Sequence, residues 1–128
     1  MAQDDPVLIV RLPEYERALK RLRASEADIE TVERAIAENP AVGAEIPGLS
    51  GLRKVRFGMA GRGKRGGGRA IYYAVTRRGR AYMVTAYSKA DREDLTEREK
   101  RLFRQLVEEL ERDDPEHENP EEGEANEG

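Results

Sequence analysis

Three short runs rich in β-branched and aromatic residues follow one another in the middle of the chain, and they constrain its fold more than any other feature. They span Leu52 to Phe57, Arg69 to Val75 and Ala81 to Ser88. A glycine-rich loop joins the first two runs, and a short turn with Gly79 at its tip joins the last two. Runs of this length between glycine turns are typical of hairpins, so the sequence predicts a small antiparallel sheet.

The same part of the chain carries no acidic residue between Ile46 and Ala90. It holds eleven cations: Arg53, Lys54, Arg56, Arg62, Lys64, Arg65, Arg69, Arg77, Arg78, Arg80 and Lys89. Unpaired cations concentrated in this way repel one another unless a polyanion binds there. The imbalance favours an anion-binding face over a merely solvated surface.

Strand alternation predicts how these side chains divide between the two faces of the sheet. Val55 and Phe57 fall on one face, with Lys54 and Arg56 on the other. On the last run, four side chains are predicted to share one face: Met83, Thr85, Tyr87 and Lys89. Tyr72 and Tyr73 point to opposite faces, so one belongs to the core and the other can meet a bound polyanion, and the pattern does not distinguish them. Tyr87 suits sheet packing and base stacking equally well.

A further short strand and three helices are predicted on either side of the sheet in the sequence. Residues 7–10 indicate a short N-terminal strand buried on both faces, and a helix is expected from Pro13. Ser25 predicts the cap of a second helix that ends at Asn39-Pro40, so the two helices form a hairpin. Thr96 and Glu99 predict a capping box for a third helix, which we expect to run to about residue 112 and to pack on the uncharged face of the sheet. The expected fold is α+β, with an antiparallel sheet of three to four strands.

The C-terminal end has a different composition from the rest. Residues 113–128 carry eight acids and no lysine or arginine, so without them the net charge changes from −3 to +5. They contain no large apolar group, and we expect a domain over residues 1–112 followed by a disordered acidic tail. The tail is a solubilising end or, alternatively, it folds back over the basic sheet and competes with RNA.

The composition of the chain limits the cellular compartment that we expect for the protein and the functional groups available for catalysis. The chain has no cysteine, no apolar run long enough to cross a membrane and no export signal, which predicts a cytoplasmic protein. The predicted sheet contains no acidic pair and no metal-ligand cluster, and the one histidine, His117, lies in the acidic tail. Lysine, arginine and tyrosine remain as functional groups, so we expect neither a metal nor another cofactor.

The residues of the sheet also carry a family resemblance. The stretches Gly51-Leu52-Arg53-Lys54-Val55-Arg56-Phe57, Gly63-Lys64-Arg65-Gly66-Gly67, Arg69-Ala70-Ile71-Tyr72-Tyr73 and Ala86-Tyr87-Ser88-Lys89, followed by Asp94-Leu95-Thr96, resemble the RelE/HigB-like toxins of type II toxin–antitoxin modules. The resemblance covers roughly residues 7–110. It implies a RelE-like fold and an mRNA endonuclease, which in many members acts in the ribosomal A site. It also implies inhibition by a cognate antitoxin, often a helix-turn-helix protein.

The resemblance implies a set of site residues. The expected catalytic residues are Lys54, Arg56, Arg69, Tyr87 and Lys89. The expected RNA-binding residues are Arg53, Arg62, Lys64, Arg65, Tyr72 and Tyr73. Several family members use a C-terminal tyrosine as an acid–base group, and this chain has no tyrosine after Asp94. Lys54 is therefore the first choice for the base. The alternative function is a non-catalytic module of the same shape that binds nucleic acid or a regulatory partner.

Overall fold

The computed structural model describes residues 6–59 and 67–113, and the chain divides into two compact units, Met1–Leu95 and Thr96–Gly128. The described part of the first unit contains two helices and five strands. In chain order these elements are β1 (Leu8–Arg11), α1 (Pro13–Leu22), α2 (Glu26–Glu38), β2 (Ala44–Glu45), β3 (Arg53–Phe57), β4 (Gly68–Val75) and β5 (Arg80–Ser88). The described part of the second unit is a single helix, α3 (Glu97–Asp113).

The five strands form one mixed sheet in the order β1-β5-β4-β3-β2. Strands β2 to β5 pair antiparallel, and β1 pairs parallel with β5. The predicted α+β class, helix hairpin, N-terminal strand and antiparallel sheet are confirmed. The prediction that the first strand is buried on both faces is wrong, because β1 is an edge strand and its Leu8 is 62% exposed.

Helices α1 and α2 supply the apolar side chains that cover one face of the sheet. Tyr15 and Leu19 from α1, and Val32 and Ile36 from α2, share a buried cluster with sheet residues that include Tyr72. Ser25 caps α2 as predicted, since its Oγ accepts a hydrogen bond from the backbone N–H of Asp28 at 3.1 Å. This packing leaves the opposite face of the sheet for other contacts.

A partly exposed polar network joins β1 to the two helices. Arg11 donates two hydrogen bonds to the carboxylate of Glu33, at 2.9 and 3.0 Å, and the Tyr15 hydroxyl donates to the same carboxylate at 2.9 Å. Burial, reinforced by the Glu33 charge, raises the pKa of Tyr15. The phenol therefore stays protonated and acts as a structural donor.

Strand β2 was not predicted, because its two residues lie in a stretch that reads as a linker. The Tyr72 hydroxyl positions the chain just before it, donating to the Pro40 carbonyl at 2.7 Å and accepting from the Gly43 N–H at 2.9 Å. Burial raises the pKa of Tyr72 as well.

Helix α3 begins with the predicted capping box. The Thr96 Oγ1 accepts from the Glu99 N–H at 3.0 Å, and the Glu99 carboxylate accepts from the Thr96 N–H at 2.9 Å. The packing of α3 on the sheet and the domain boundary at residue 112 stay predictions, and residues 114–128 of the acidic tail lie outside the described residues. Within the described parts of the chain, no helix combines the length and the apolar character needed to span a membrane.

Candidate functional site

Three side chains line up across the middle of the sheet. Arg56 of β3 lies directly opposite Arg69 of β4, and Arg69 lies directly opposite Tyr87 of β5. Directly opposed residues of antiparallel strands point to the same face, so these three form a row, which we call the basic row. Neighbouring strands are about 4.8 Å apart, and the row therefore spans roughly 10 Å.

The two predicted catalytic lysines flank the basic row. Lys54 precedes Arg56 by two residues and so shares its face. Lys89 follows Tyr87 by two residues, and its N–H extends the ladder by one bond to the Gly67 carbonyl at 3.0 Å. The structure thus brings Lys54, Arg56, Arg69, Tyr87 and Lys89 to one region of the sheet, on the face opposite α1 and α2.

The other face of the same strands is apolar. Phe57, Ala70 and Tyr72 belong to the apolar cluster that includes residues of both helices. Val55, which lies opposite Ala70, packs against this cluster. Gly68 begins β4 where the Phe57 ring crosses it, and a Cβ at residue 68 would lie only 2.5 Å from that ring. This glycine lets Phe57 close over the strand, and Arg69, the next residue, projects to the opposite face.

Arg69 is the most informative residue of the basic row. Its side chain is 9% exposed, and its Nη1 donates to the Gly68 carbonyl at 3.1 Å. Among the residues that the structure describes, no carboxylate pairs with either Arg69 or its neighbour Arg56. A buried cation without a counter-ion is costly, and two adjacent cations add repulsion. An anion held between the two guanidinium groups would offset both costs.

The lysines, in contrast, are paired. Lys54 Nζ lies 3.4 Å from Asp94 Oδ1, and Lys89 Nζ lies 3.5 Å from Glu93 Oε1. The expectation that the cations of the acid-free stretch are unpaired is therefore wrong for these two residues. The pairing carboxylates come from just beyond the end of that stretch: Glu93 is four residues from Lys89, whereas only the fold brings Asp94 near Lys54.

Both carboxylates belong to one short segment, residues 91–95, which we call the acidic strap. The Arg92 guanidinium lies over the Tyr87 ring, 4.8 Å from its centroid, and the Tyr87 hydroxyl donates to the Glu93 carbonyl at 3.5 Å. The strap ends at Leu95, which is buried. Sequence analysis did not assign these residues a role, although the i,i+4 spacing of Lys89 and Glu93 was a usable signal.

Two predicted RNA-binding residues serve the fold. Tyr72 is completely buried on the apolar face, which corrects its predicted RNA contact. Arg53 lies opposite Tyr72, donates to the Gly43 carbonyl at 2.6 Å and pairs with Glu45 at 3.6 Å, so it holds β2 in place. Tyr73, which is half-buried, shares the face of Arg69, and its RNA contact stays a prediction.

Three other cations of the acid-free stretch lie away from the basic row. Arg77, Arg78 and Arg80 lie at the far end of the β4–β5 hairpin, six residues along the strand from Arg69, or roughly 20 Å. Three further predicted RNA-binding residues lie outside the described residues: Arg62, Lys64 and Arg65. Within the described ranges, no group of three or more histidine, cysteine or acidic side chains is placed to hold a metal ion.

A β-bulge changes the predicted face of one residue on β5. The register between β4 and β5 shifts at Ile71/Tyr72, so Met83 pairs with Tyr72 while Tyr87 pairs with Arg69. Met83 consequently lies in the apolar cluster, and the prediction that it shares a face with Tyr87 is wrong. The extra residue of the bulge interrupts the strict alternation of side chains.

The fold and the site together define a small α+β protein with a row of basic side chains across its sheet. The chain matches the family model described as the RelE toxin of the RelE/RelB toxin–antitoxin system over residues 10–117, and it belongs to this family.

Several solved structures are similar to this chain, and the first of the three below, with a TM-score above 0.5, shows the same fold. The toxin–antitoxin complex RelBE2 from Mycobacterium tuberculosis is 22% identical with a TM-score of 0.54, covering 69% of this chain and 100% of that one. A mutant of the E. coli toxin RelE in the free state is 17% identical with a TM-score of 0.47, covering 69% and 88%. The isolated E. coli RelE toxin is 15% identical with a TM-score of 0.44, covering 78% and 98%.

Proposed function

We propose that this protein is an mRNA endonuclease, and that the basic row binds the phosphodiester that is cut. The observation that carries the proposal is Arg69, a guanidinium that is nine-tenths buried and has no carboxylate partner among the described residues. A buried, unpaired guanidinium lowers the stability of the fold, and a protein keeps one when the group binds an anionic ligand. Arg56 beside it is exposed and extends the site along a single-stranded RNA.

The proposed reaction uses the RNA's own 2′-hydroxyl. The 2′-oxygen attacks the adjacent phosphorus and loses its proton to a base. The P–O5′ bond then breaks, and the departing 5′-oxygen takes up a proton. The products end in a 2′,3′-cyclic phosphate and a 5′-hydroxyl, and the step needs stabilisation of the negative charge on the pentavalent phosphorane.

The side chains divide these tasks by chemistry and position. Arg56 and Arg69 can donate several hydrogen bonds to the non-bridging oxygens, where charge develops. Lys54 is the proposed base, and Lys89 the proposed acid or phosphate clamp. Tyr87 is buried beneath Arg92, so stacking on a base or proton transfer by Tyr87 requires that guanidinium to move aside. If the ribosome aligns the RNA for in-line attack, modest proton-transfer groups suffice, because alignment itself lowers the barrier.

The proposed partners follow from the same function. The substrate is message in the ribosomal A site, which places the protein in the cytoplasm. A neighbour of similar fold is described as a toxin–antitoxin complex. We propose that a cognate antitoxin, a helix-turn-helix protein, inhibits this chain too.

One observation favours the second candidate, a non-catalytic RNA-binding module. Both lysines proposed for proton transfer lie in ion pairs with the acidic strap, at 3.4 and 3.5 Å. A module of this kind needs the guanidinium groups of the basic row and no base.

Induced expression separates the two candidates. We expect growth arrest and message cleavage for the natural chain, and normal growth for Arg69→Ala. Arg77→Ala, at the far end of the sheet, is the matched control and should stay toxic. Cleaved messages should carry 2′,3′-cyclic phosphate and 5′-hydroxyl ends when purified protein acts on programmed ribosomes. Intact messages and normal growth with the natural chain would establish the binding module instead.

A further inference from the structure

The acidic strap (residues 91–95) holds its two anionic side chains against the two lysines of the site. Asp94 Oδ1 lies 3.4 Å from Lys54 Nζ, and Glu93 Oε1 lies 3.5 Å from Lys89 Nζ. A carboxylate oxygen near an ammonium nitrogen takes the position that a phosphate oxygen takes when a lysine binds RNA. The strap therefore gives each lysine an anionic oxygen of the kind that an RNA phosphate would supply.

The strap is anchored at both ends and along its length. At its start, the N–H groups of Asp91 and Arg92 both donate to the Ser88 carbonyl, at 3.0 and 3.2 Å. At its end, the Leu95 side chain is buried, and the Leu95 N–H donates to Asp94 Oδ1 at 2.7 Å. That hydrogen bond fixes the carboxylate that faces Lys54. The backbone thus holds the Asp94 carboxylate at the site, whereas the Glu93 carboxylate reaches Lys89 through its own side chain.

The contacts themselves are of the exposed, exchangeable kind. The Asp94 side chain is 48% exposed and that of Glu93 is 92% exposed, so water and salt screen both pairs. Exposed ion pairs of this length are weak. Phosphates of a bound RNA can therefore displace them, whereas a buried pair would resist exchange.

We propose that the acidic strap is a built-in competitor for RNA: its carboxylates occupy the phosphate contacts of Lys54 and Lys89 until RNA replaces them. Arg56 and Arg69, which have no carboxylate partner among the described residues, capture the RNA first. The lysines then exchange Asp94 and Glu93 for phosphates. The strap lowers the affinity of the free protein for RNA. Binding therefore starts at the two arginines. This inference rests on the proposed RNA-binding function.

Neutral variants of the strap test the proposal directly. We would measure binding of the full chain to a labelled single-stranded oligonucleotide with 2′-O-methyl riboses, which the protein cannot cleave, by fluorescence anisotropy. Asp94→Asn should tighten binding about two- to fivefold, and the double variant with Glu93→Gln by about tenfold. The gain should shrink as salt rises, because screening weakens the pairs that compete.

Asp91→Asn is the matched control. It removes one negative charge from the same segment, but Asp91 is exposed and its side chain makes no contact with a described residue. It should change affinity by less than about twofold, through long-range charge alone. Equal effects of Asp91→Asn and Asp94→Asn would show that the strap acts only through its net charge, and would overturn the proposal. Weaker binding by Asp94→Asn would overturn it as well, and would make Asp94 a positioning residue for Lys54.

The Arg69→Ala variant distinguishes a failure of the strap proposal from a failure of the proposed RNA-binding function. If the natural chain binds the oligonucleotide and Arg69→Ala weakens binding, the basic row is an RNA site, and only the strap variants decide the competition. If Arg69→Ala leaves binding unchanged, the proposed site itself is misplaced, whatever the strap variants do. Thermal unfolding of each variant confirms that a change in affinity does not come from loss of the fold.

Discussion

Replacing Arg69 by methionine should make the protein more stable and inactive at the same time. The side chain is 9% exposed, and its only hydrogen bond to a described residue is the one to the Gly68 carbonyl at 3.1 Å. Methionine fills most of the space of the aliphatic stem and needs no partner. The substitution removes a charge that the folded protein must desolvate without a counter-ion.

The size of the effect is a difference between two terms. Burying an unpaired ion costs several kcal/mol even after relaxation, which we take as about 4 kcal/mol. The hydrogen bond from the charged group to the carbonyl returns about 2 kcal/mol, and methionine forfeits it. The net expectation is a gain of about 2 kcal/mol in the free energy of unfolding. For a chain of this length that corresponds to a rise in Tm of about 6 °C.

Urea unfolding followed by circular dichroism measures the change, with Arg56→Met as the control. Arg56 is exposed, so its replacement should alter the free energy of unfolding by less than about 0.5 kcal/mol. Inorganic phosphate at millimolar concentration should raise the Tm of the natural chain and not that of Arg69→Met, because only the former retains the anion site. Destabilisation of Arg69→Met by 1 kcal/mol or more, roughly half the expected gain with the opposite sign, would show that the guanidinium supports the fold and refute the reasoning.

Three further outcomes are expected. Tyr72→Phe leaves the buried Gly43 N–H without its acceptor and should lower stability by about 1–3 kcal/mol in thermal unfolding, with RNA affinity unchanged. Gly68→Ala places a Cβ 2.5 Å from the Phe57 ring and should cost about 1–3 kcal/mol by overpacking, measured in urea. Burial raises the pKa of Tyr15 above its usual 10.0, so the unfolded chain releases that proton first. Stability should be retained below about pH 10 and fall above it by up to about 1.4 kcal/mol per pH unit, a slope that Tyr15→Phe should reduce.

Much of the fold could be predicted because its signals are local. Ser25 and Thr96 cap helices through contacts with residues three positions away, and both caps form as predicted. Gly79 adopts the left-handed conformation that closes the β4–β5 turn. Lys54 and Arg56 were assigned to the face away from the core by strand alternation alone, and the register of β3 against β4 agrees.

The errors arose where residues distant in sequence meet. The two-residue strand β2 depends on hydrogen bonds from Tyr72, almost thirty residues away, and has no pattern of its own. The exposure of β1 depends on its position at the sheet edge. A bulge moved Met83 to the opposite face from Tyr87, and a period of two cannot detect one inserted residue.

The sequence by itself determined the elements, the acid-free stretch of the sheet and the face on which Lys54 and Arg56 lie, because capping, periodicity and composition are local properties of a chain. Only the tertiary structure decided which cations keep their charge unpaired. Lys54 finds Asp94 forty residues later, whereas Arg69 is buried beside Arg56 and finds no carboxylate in the described parts of the chain. Charge pairing depends on distance through space, and distance through space is set by strand register and by the path of residues 91–95.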